Sequence, residues 1–192
     1  MIRDIVIKNR SYRGFDGNVK IPHRTLVSFV DTARLVASGA NVQPLKYQIA
    51  DSPEKVGKLN ALTKWAKMLK GVELPHKGME PTSYIVIYVD SNINPNADAA
   101  KTDVGIAAQT ILLSAVEEGF GGCMLGNFNK ADVTSAMGAD ESLVPALVIA
   151  LGKPAETVKL VDVGADGKTA YYRDENDVHF VPKRQLDDIL LT

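Results

Sequence analysis

Two arginines bracket a serine near the start of the chain, in the run Arg10-Ser11-Tyr12-Arg13. A guanidinium group presents its N–H donors as a planar fork that matches a phosphate or carboxylate bidentately, and a hydroxyl between two such groups can add a further donor. The run therefore predicts a cradle for an anion. The pattern alone leaves open the alternative that both arginines are solvated surface charges.

A second polar cluster occupies the loop over residues 38–44, where Asn41 and Gln43 lie two positions apart. On extended backbone such side chains point the same way, and carboxamides both donate and accept hydrogen bonds, which suits the edge of a heterocycle or a polyol chain. The competing interpretation is that these side chains only stabilise a turn. A third cluster, Lys183-Arg184, could bring positive charge to an anion from the other end of the chain.

The sequence shows no pattern for a catalytic nucleophile or a metal site. It contains neither G-x-S-x-G nor H-E-x-x-H, and its three histidines lie far from one another and from Cys123. The run over residues 119–122 follows a predicted helix and opens a strand, which reverses the order of a dinucleotide fingerprint, so a helix C-cap at Gly119 explains it better. We expect Cys123, in an apolar stretch, to serve packing.

The composition predicts a single domain over residues 1–192. The chain is 45% hydrophobic and 23% charged, with 22 Lys and Arg against 23 Asp and Glu. This balance argues against sequence-independent binding to nucleic acid, and no run of 18 apolar residues predicts a membrane span. With one cysteine and no secretory pattern, the expected location is the cytoplasm.

The elements that must position the polar clusters are irregularly interspersed helices and strands. We predict helices over residues 22–37, 52–69, 98–118 and 130–137, and strands over residues 47–50, 84–89, 121–126, 145–151, 158–163 and 171–181. Residues 185–191 could form a terminal helix, and residues 71–81, with two Gly and two Pro, form a surface excursion that could act as a lid. Without a regular βαβ repeat, the pattern favours an α+β fold with a mixed sheet.

The longest predicted helix is apolar on nearly all sides. One stripe contains Val104, Ala107, Ala108, Ile111, Leu112 and Ala115, while Ile106 and Leu113 lie elsewhere on the cylinder. A helix of this kind is buried all round, which is more burial than a small monomer usually provides. The pattern predicts that a second subunit covers it.

Taken together and in order, these segments resemble the FMN-dependent nitroreductase family. Arg10-Ser11-Tyr12-Arg13-Gly14-Phe15 is similar to the family's Arg-Ser-x-Arg-x-Phe opening, and Ala37-Ser38-Gly39-Ala40-Asn41-Val42-Gln43-Pro44 to its Ala-Pro-Ser-x-x-Asn-x-Gln-Pro loop. Residues 103–109 resemble its long helix, residues 118–128 its flavin-facing strand and loop, and residues 150–154 the end of the next strand. The resemblance covers nearly the whole chain.

The resemblance implies a mostly antiparallel central sheet around a long buried helix, in an intertwined homodimer with two FMN sites built from both chains. It implies tight, non-covalent FMN binding in which the partner contributes the loop over residues 38–43. The residues expected at the cofactor are Arg10, Ser11, Tyr12, Arg13, Ser38, Gly39, Asn41, Gln43, Leu125, Gly126, Lys183 and Arg184. Among these, the cations would bind the phosphate and pyrimidine oxygens, and Leu125 and Gly126 would lie against the ring.

The activity implied by the resemblance is ping-pong hydride transfer from NAD(P)H, through FMN, to a nitroaromatic, a quinone or a similar electron-poor small molecule. The flavin then carries the chemistry, and no side chain acts as a nucleophile. Two alternatives share the same binding residues: a non-catalytic flavin-handling protein and a sister activity such as reductive dehalogenation. The chain departs from the family pattern at Asn9, where a basic residue is frequent, and at Ala37 and Leu45, which replace a proline and a tryptophan.

Overall fold

Five α-helices and eight strands occur in residues 1–69 and 71–191, the part of the chain that this computed structural model describes. The helices are α1 (Ile2–Lys8), α2 (His23–Ala33), α3 (Pro53–Leu62), α4 (Lys101–Glu117) and α5 (Lys130–Met137). The strands are β1 (Phe15–Asp16), β2 (Leu45–Ala50), β3 (Ser83–Asp90), β4 (Gly121–Leu125), β5 (Leu143–Pro154), β6 (Val158–Asp162), β7 (Tyr172–Arg173) and β8 (His179–Lys183). The predicted α+β class is confirmed.

Local sequence signals set several helix ends. The Ser52 side chain accepts a hydrogen bond from the backbone N–H of Lys55 at 3.4 Å, and Pro53 occupies the first turn of α3. The side chain of Asn129 caps α5 in the same way. Gly119, at φ 78°, follows α4 in the left-handed conformation, which confirms its predicted role as a C-cap.

The main sheet has five strands, in the order β1-β5-β3-β2, and β4 also pairs with β5. Strand β4 pairs with residues 148–152 of β5, and β1 pairs with residues 153–154. All its strand pairs are antiparallel. A separate three-stranded sheet, β6-β8-β7, contains the parallel pair β6–β8. The predicted strand over residues 171–181 is therefore two short strands joined by a turn.

Strand β3 lies between two helical layers. Its alternate side chains Ile85, Ile87 and Val89 pack with α2 and α4, whereas Tyr84, Val86 and Tyr88 face α3 and α5. All six are at most 1% exposed, and burial of one such side chain contributes about 1.5 to 3 kcal/mol. This explains the continuous apolar run, because a strand covered on both faces needs no polar positions.

Helix α4 is buried on one face within the single chain. Val104, Ala107 and Ile111 belong to the core, while Ile106 on the opposite side is 38% exposed. The predicted burial on all sides is therefore not reached within one subunit. Gly105 and Ile106 lie on the exposed face of α4.

Two predicted helix ends are wrong, one predicted helix does not form, and one helix was not predicted. Helix α2 ends at Ala33 instead of residue 37, because the chain turns into the loop at residues 38–43, and α3 ends at Leu62 instead of residue 69. Residues 185–191 contain a single 3-10 turn, Leu186–Asp188, and no α-helix. Helix α1 was not predicted, since none of its residues is buried and it lacks a long apolar stripe.

Candidate functional site

A cavity of about 320 Å³ lies where the N-terminal segment meets α4, β4 and the C-terminal strands. This volume is at the lower end of the range for small-molecule sites. The lining residues are Asn9, Arg10, Ser11, Arg13, Gln109, Leu112, Met124, Tyr171, His179, Val181 and Lys183. The structure thus brings together the predicted residues Arg10, Ser11, Arg13 and Lys183 from opposite ends of the chain.

Two glycines on β4 let the N-terminal segment reach the cavity. The backbone N–H of Tyr12 donates to the carbonyl of Gly122 at 3.0 Å, beside a parallel bridge between Ser11 and Gly122. A Cβ at Gly121 would lie 2.6 Å from the Tyr12 ring, and one at Gly122 would lie 2.2 Å from the carbonyl oxygen of Ala150. Only glycine allows this close approach, so the pair is required by packing in addition to the cap at Gly119.

Arg13 is a buried cation at the centre of the cavity wall, and it is 8% exposed. Its Nη1 donates to the carbonyl of Ser11 at 3.2 Å and lies 3.1 Å from Nε2 of His179. Its Cζ stands 4.8 Å from the centre of the Tyr171 ring, a cation–π contact. These partners hold the guanidinium in place without neutralising it.

The three cations of the cavity have no carboxylate partner in the described part of the chain. None of the ion pairs there involves Arg10, Arg13 or Lys183. Burial of a charge is costly unless an opposite charge accompanies it. The cavity is therefore suited to an anion that enters from solution.

His179 lies beside the Arg13 guanidinium and is only 1% exposed. Because the Arg13 guanidinium can only donate, Nε2 of His179 must accept, so the ring is neutral and carries its proton on Nδ1. Burial, together with the charges of Arg13 and Arg173, lowers the pKa of His179 from 6.5 to about 4. The ring therefore remains neutral at physiological pH.

A charged network behind the cavity fixes the backbone of Arg13. The Glu156 carboxylate accepts from the Arg13 backbone N–H and pairs with Arg173, and both side chains of that pair are at most 5% exposed. Arg173 also contacts Asp177 at 2.8 Å, whose other oxygen lies 3.0 Å from Nε2 of His76. The predictions missed Glu156, Arg173, Tyr171 and His179, because no local motif links them to the N-terminal run.

Two of the predicted residues, Tyr12 and Arg184, do not line the cavity, whereas Arg10 and Lys183 do. The Tyr12 hydroxyl donates to the Lys8 carbonyl at 2.9 Å and its ring packs on β4, so it supports the segment and does not line the cavity. Lys183 lines the cavity, whereas its neighbour Arg184 is exposed outside it. Arg10 donates through Nη2 to the Val6 carbonyl at 2.7 Å, and its Nε has no partner in the described residues.

The loop cluster is built around a buried aspartate that the predictions did not include. The Ser38 hydroxyl donates to Asp103 on α4 at 2.6 Å, and the backbone N–H of Gly39 donates to the same carboxylate at 3.1 Å. The loop is a 3-10 turn with φ values of 56° at Asn41 and 51° at Gln43. The expectation that Asn41 and Gln43 lie on extended backbone is therefore wrong.

Within one chain, the loop cluster and the cationic cavity are separate. Ser38 and Gln43 line another cavity of about 240 Å³, beside Asp103 and Tyr47. Leu125 is 4% exposed in the core layer of α3 and α5, and Gly126 is exposed at the end of β4. The neighbouring Met124 is the β4 side chain that faces the cationic cavity.

Cys123 lies within β4, and its side chain is buried on the core side of the strand. Burial raises the pKa of its thiol to about 11. The thiol is therefore protonated at neutral pH and weakly nucleophilic.

Comparison with known proteins assigns the fold to a family. The sequence matches the model described as "Nitroreductase family" over residues 6–153, which is more than half of the chain. The chain belongs to the nitroreductase family. YdgI of Bacillus subtilis strain 168, which bears a provisional name as an NAD(P)H nitroreductase, is 22% identical over 184 residues, with 80% of this chain and 88% of the relative covered.

Solved structures of nitroreductase family members share the fold. A family protein from Streptococcus pneumoniae TIGR4 superposes with a TM-score of 0.74 at 15% identity, covering 100% of both chains. A provisionally named nitroreductase of Exiguobacterium sibiricum 255-15, solved in complex with FMN, gives a TM-score of 0.67 at 19% identity, covering 81% of this chain and 89% of that chain. At these identities the likeness shows the fold alone and does not identify a ligand of this chain.

No helix in residues 1–69 and 71–191 is long and apolar enough to cross a membrane. Within the same residues, no group of three or more His, Cys, Asp or Glu side chains is placed to hold a metal ion.

Proposed function

We propose that this nitroreductase family member is an FMN-dependent oxidoreductase that takes hydride from NAD(P)H and passes it to nitroaromatics, quinones or similar electron-poor small molecules. The observation that supports this most strongly is the buried Arg13 guanidinium without a carboxylate partner in the described chain. It lies in a cavity with two further cations, Arg10 and Lys183. A dianionic phosphate supplies the missing counter-charge.

The residues of the cavity fit FMN by their donor chemistry. Arg10 Nε and His179 Nδ1 are buried donors without protein partners in the described residues, and a phosphate or a pyrimidine oxygen satisfies such donors. Arg10, Ser11, Arg13 and Lys183 would hold the cofactor non-covalently. Arg184 is exposed, so its proposed part is limited to the positive potential around the entrance.

Bound FMN would supply the redox chemistry of the protein, since it can both accept and return a hydride. The chain's own part is to bind and orient. Arg13 would hold a fixed positive charge against the bound cofactor. A preorganised charge of this kind is worth most in a site with little water. Tyr171 and His179 keep the guanidinium in place, so it need not reorganise during turnover.

We further propose that two copies of the chain form the complete site. The cationic cavity and the loop over residues 38–43 are separate within one chain, and the face of α4 around Ile106 is apolar and exposed. Helix α1, which packs on α4, adds Ile2 and Val6 to the exposed apolar surface. A homodimer would cover this surface and bring the partner's loop to the cavity.

The activity is tested with FMN-reconstituted protein, NADH or NADPH, and a quinone or a nitroaromatic compound. We expect rapid oxidation of at least one nicotinamide that depends on both FMN and the acceptor, with parallel lines in double-reciprocal plots. FMN binding without oxidation of either nicotinamide would instead indicate a flavin-handling protein. Release of halide from a halogenated aromatic at a higher rate than quinone reduction would indicate reductive dehalogenation.

A further inference from the structure

His179 in the cationic cavity has a donor that nothing in the described chain accepts. Its Nε2 is occupied by the hydrogen bond from Arg13, which fixes the proton on Nδ1. Nδ1 is buried and has no hydrogen-bond partner in residues 1–69 and 71–191. A buried N–H without an acceptor costs free energy, and most such groups in proteins have a partner.

The surroundings of His179 narrow down what that partner is. The ring is 1% exposed and lines the cavity together with Arg13, Arg10 and Lys183. The Tyr171 ring lies beside it, at 5.2 Å between centroids and tilted by 52°. Neither this ring nor any other group of the described residues accepts a hydrogen bond from Nδ1. A cavity bordered by three cations favours an acceptor that carries negative charge.

We propose that His179 is a ligand-binding residue, which donates its Nδ1–H to an anionic oxygen of the bound cofactor while Nε2 holds Arg13. This rests on the proposed FMN binding. The anionic oxygen can belong to the phosphate or, in reduced FMN, to the pyrimidine ring. The imidazole thereby couples the orientation of the Arg13 guanidinium to the presence of the ligand.

The neutral state of the ring is essential to this role. A protonated imidazole would place a second cation beside Arg13 and would turn Nε2 from an acceptor into a donor facing another donor. Burial opposes protonation of the ring and thereby lowers its pKa, as do the charges of Arg13 and Arg173, whereas the charge of Asp177 favours protonation. His179 thus provides a neutral donor in a position where a further cation would be unfavourable.

The first test is titration of apoprotein with FMN and with riboflavin, followed by flavin fluorescence, for wild type and His179→Phe. The phenyl ring keeps the packing on Tyr171 and removes both nitrogens. Because a hydrogen bond to a charged group is worth about 1.5 to 3 kcal/mol, we expect FMN to bind at least about 10-fold more weakly. His23→Phe is the matched control, since His23 is an exposed histidine paired with Asp51 on the surface. The affinity of this variant for FMN should stay at the wild-type value.

The two ligands separate the sources of the anionic oxygen. Weaker binding of FMN with unchanged riboflavin binding assigns the contact to the phosphate. Loss for both ligands assigns it to the flavin ring system or the ribityl chain. Unchanged FMN affinity in His179→Phe, with wild-type binding intact, overturns the inference alone, whereas failure of the wild type to bind FMN overturns the proposed function as well.

A second measurement needs no variant at the site. In a long-range ¹⁵N–¹H NMR spectrum of the wild type, His179 should appear as the neutral Nδ1–H form, and its Nδ1 resonance should shift when FMN is added. The chain has three histidines, so His23→Phe and one further variant at His76 complete the assignment. An Nδ1 resonance that stays unchanged on saturation with FMN contradicts the inference.

Discussion

Replacement of Arg13 by methionine should separate ligand binding from folding. Methionine keeps an unbranched apolar stem and removes the charge of a guanidinium that is 8% exposed and forms no ion pair in the described residues. Loss of one charge-assisted contact to FMN costs about 1.5 to 3 kcal/mol, which corresponds to about 10- to 150-fold in Kd. We expect this loss with FMN.

The effect on the apoprotein has terms of opposite sign. The variant loses the hydrogen bonds to the Ser11 carbonyl at 3.2 Å and to His179 at 3.1 Å, and the cation–π contact with Tyr171 at 4.8 Å. Against these losses, the variant removes a buried charge that no carboxylate of the described chain neutralises. Burying such a charge costs several kcal/mol in other proteins, so its removal stabilises the apoprotein. We therefore expect the free energy of unfolding of the apoprotein to change by no more than about 1 to 2 kcal/mol.

The assay combines FMN titration with urea denaturation, each with and without FMN. At a free FMN concentration 1,000 times the wild-type Kd, FMN adds about 4.1 kcal/mol to wild-type stability but only about 1.4 kcal/mol to a variant that binds 100-fold more weakly. Arg24→Met is the matched control, because Arg24 is exposed on α2 and lines neither the cationic cavity nor the cavity beside the loop at residues 38–43. An Arg13→Met protein that retains wild-type FMN affinity would refute the anion site, even if its apoprotein were destabilised.

Three other predictions concern packing, pH and assembly. Gly122→Ala places a Cβ 2.2 Å from the Ala150 carbonyl oxygen and should lower the free energy of unfolding, measured in urea, by about 1 to 3 kcal/mol or more. The control Gly57→Ala, in open space on α3, should raise the free energy of unfolding by about 0.5 to 1 kcal/mol. Equal effects of the two variants would contradict the packing of β4 on β5. Because the native pKa of His179 is about 4 and its ordinary value is 6.5, the unfolded chain takes up the proton first as the pH falls, so this group should remove about 2 kcal/mol of stability between pH 7 and pH 5. Urea curves at both pH values should show a smaller loss in His179→Phe, and an identical loss would show that the native protein does not lower the pKa of this ring. Ile106→Glu, on the exposed face of α4, should convert a dimer into a monomer in sedimentation velocity and should weaken FMN binding. A wild-type protein that is a monomer with FMN bound would contradict the two-chain site.

The parts of the site that could be predicted from the sequence are those encoded in short runs. Arg10, Ser11 and Arg13 lie within four residues, so their clustering does not depend on the fold, and all three line one cavity. That this cavity binds an anion stays a prediction. The pair Lys183-Arg184 was only a weak candidate by itself, since 170 residues separate Lys183 from Arg13, and the family resemblance strengthened it.

The residues that were missed depend on contacts between distant segments. His179 meets Arg13 across 166 positions in the sequence, in a pairing that requires β8 to lie beside the N-terminal segment. Asp103 likewise becomes the centre of the loop at residues 38–43 only when α4 packs against it. Neither contact leaves a periodicity or a spacing that a single sequence can show.

The predicted secondary structure failed where tertiary contacts override local preference. Residues 63–69 are composed largely of good helix formers, yet α3 ends at Leu62, where the backbone of the following Lys64 donates to the carbonyl of Asn127. Strand β3 was predicted almost to the residue, because a run of β-branched and aromatic residues suits only a strand covered on both faces. Strong local patterns therefore survived, and marginal ones yielded to packing.

Equilibrium titration of the wild-type apoprotein with FMN, beside riboflavin as the ligand without phosphate, tests the central claim most directly. The cationic cavity predicts saturable binding of one FMN per chain that weakens as salt is added, and riboflavin binding at least about 10-fold weaker, because the phosphate meets Arg13 and its neighbouring cations. Absence of FMN binding, or equal and salt-independent affinity for the two flavins, would contradict the account.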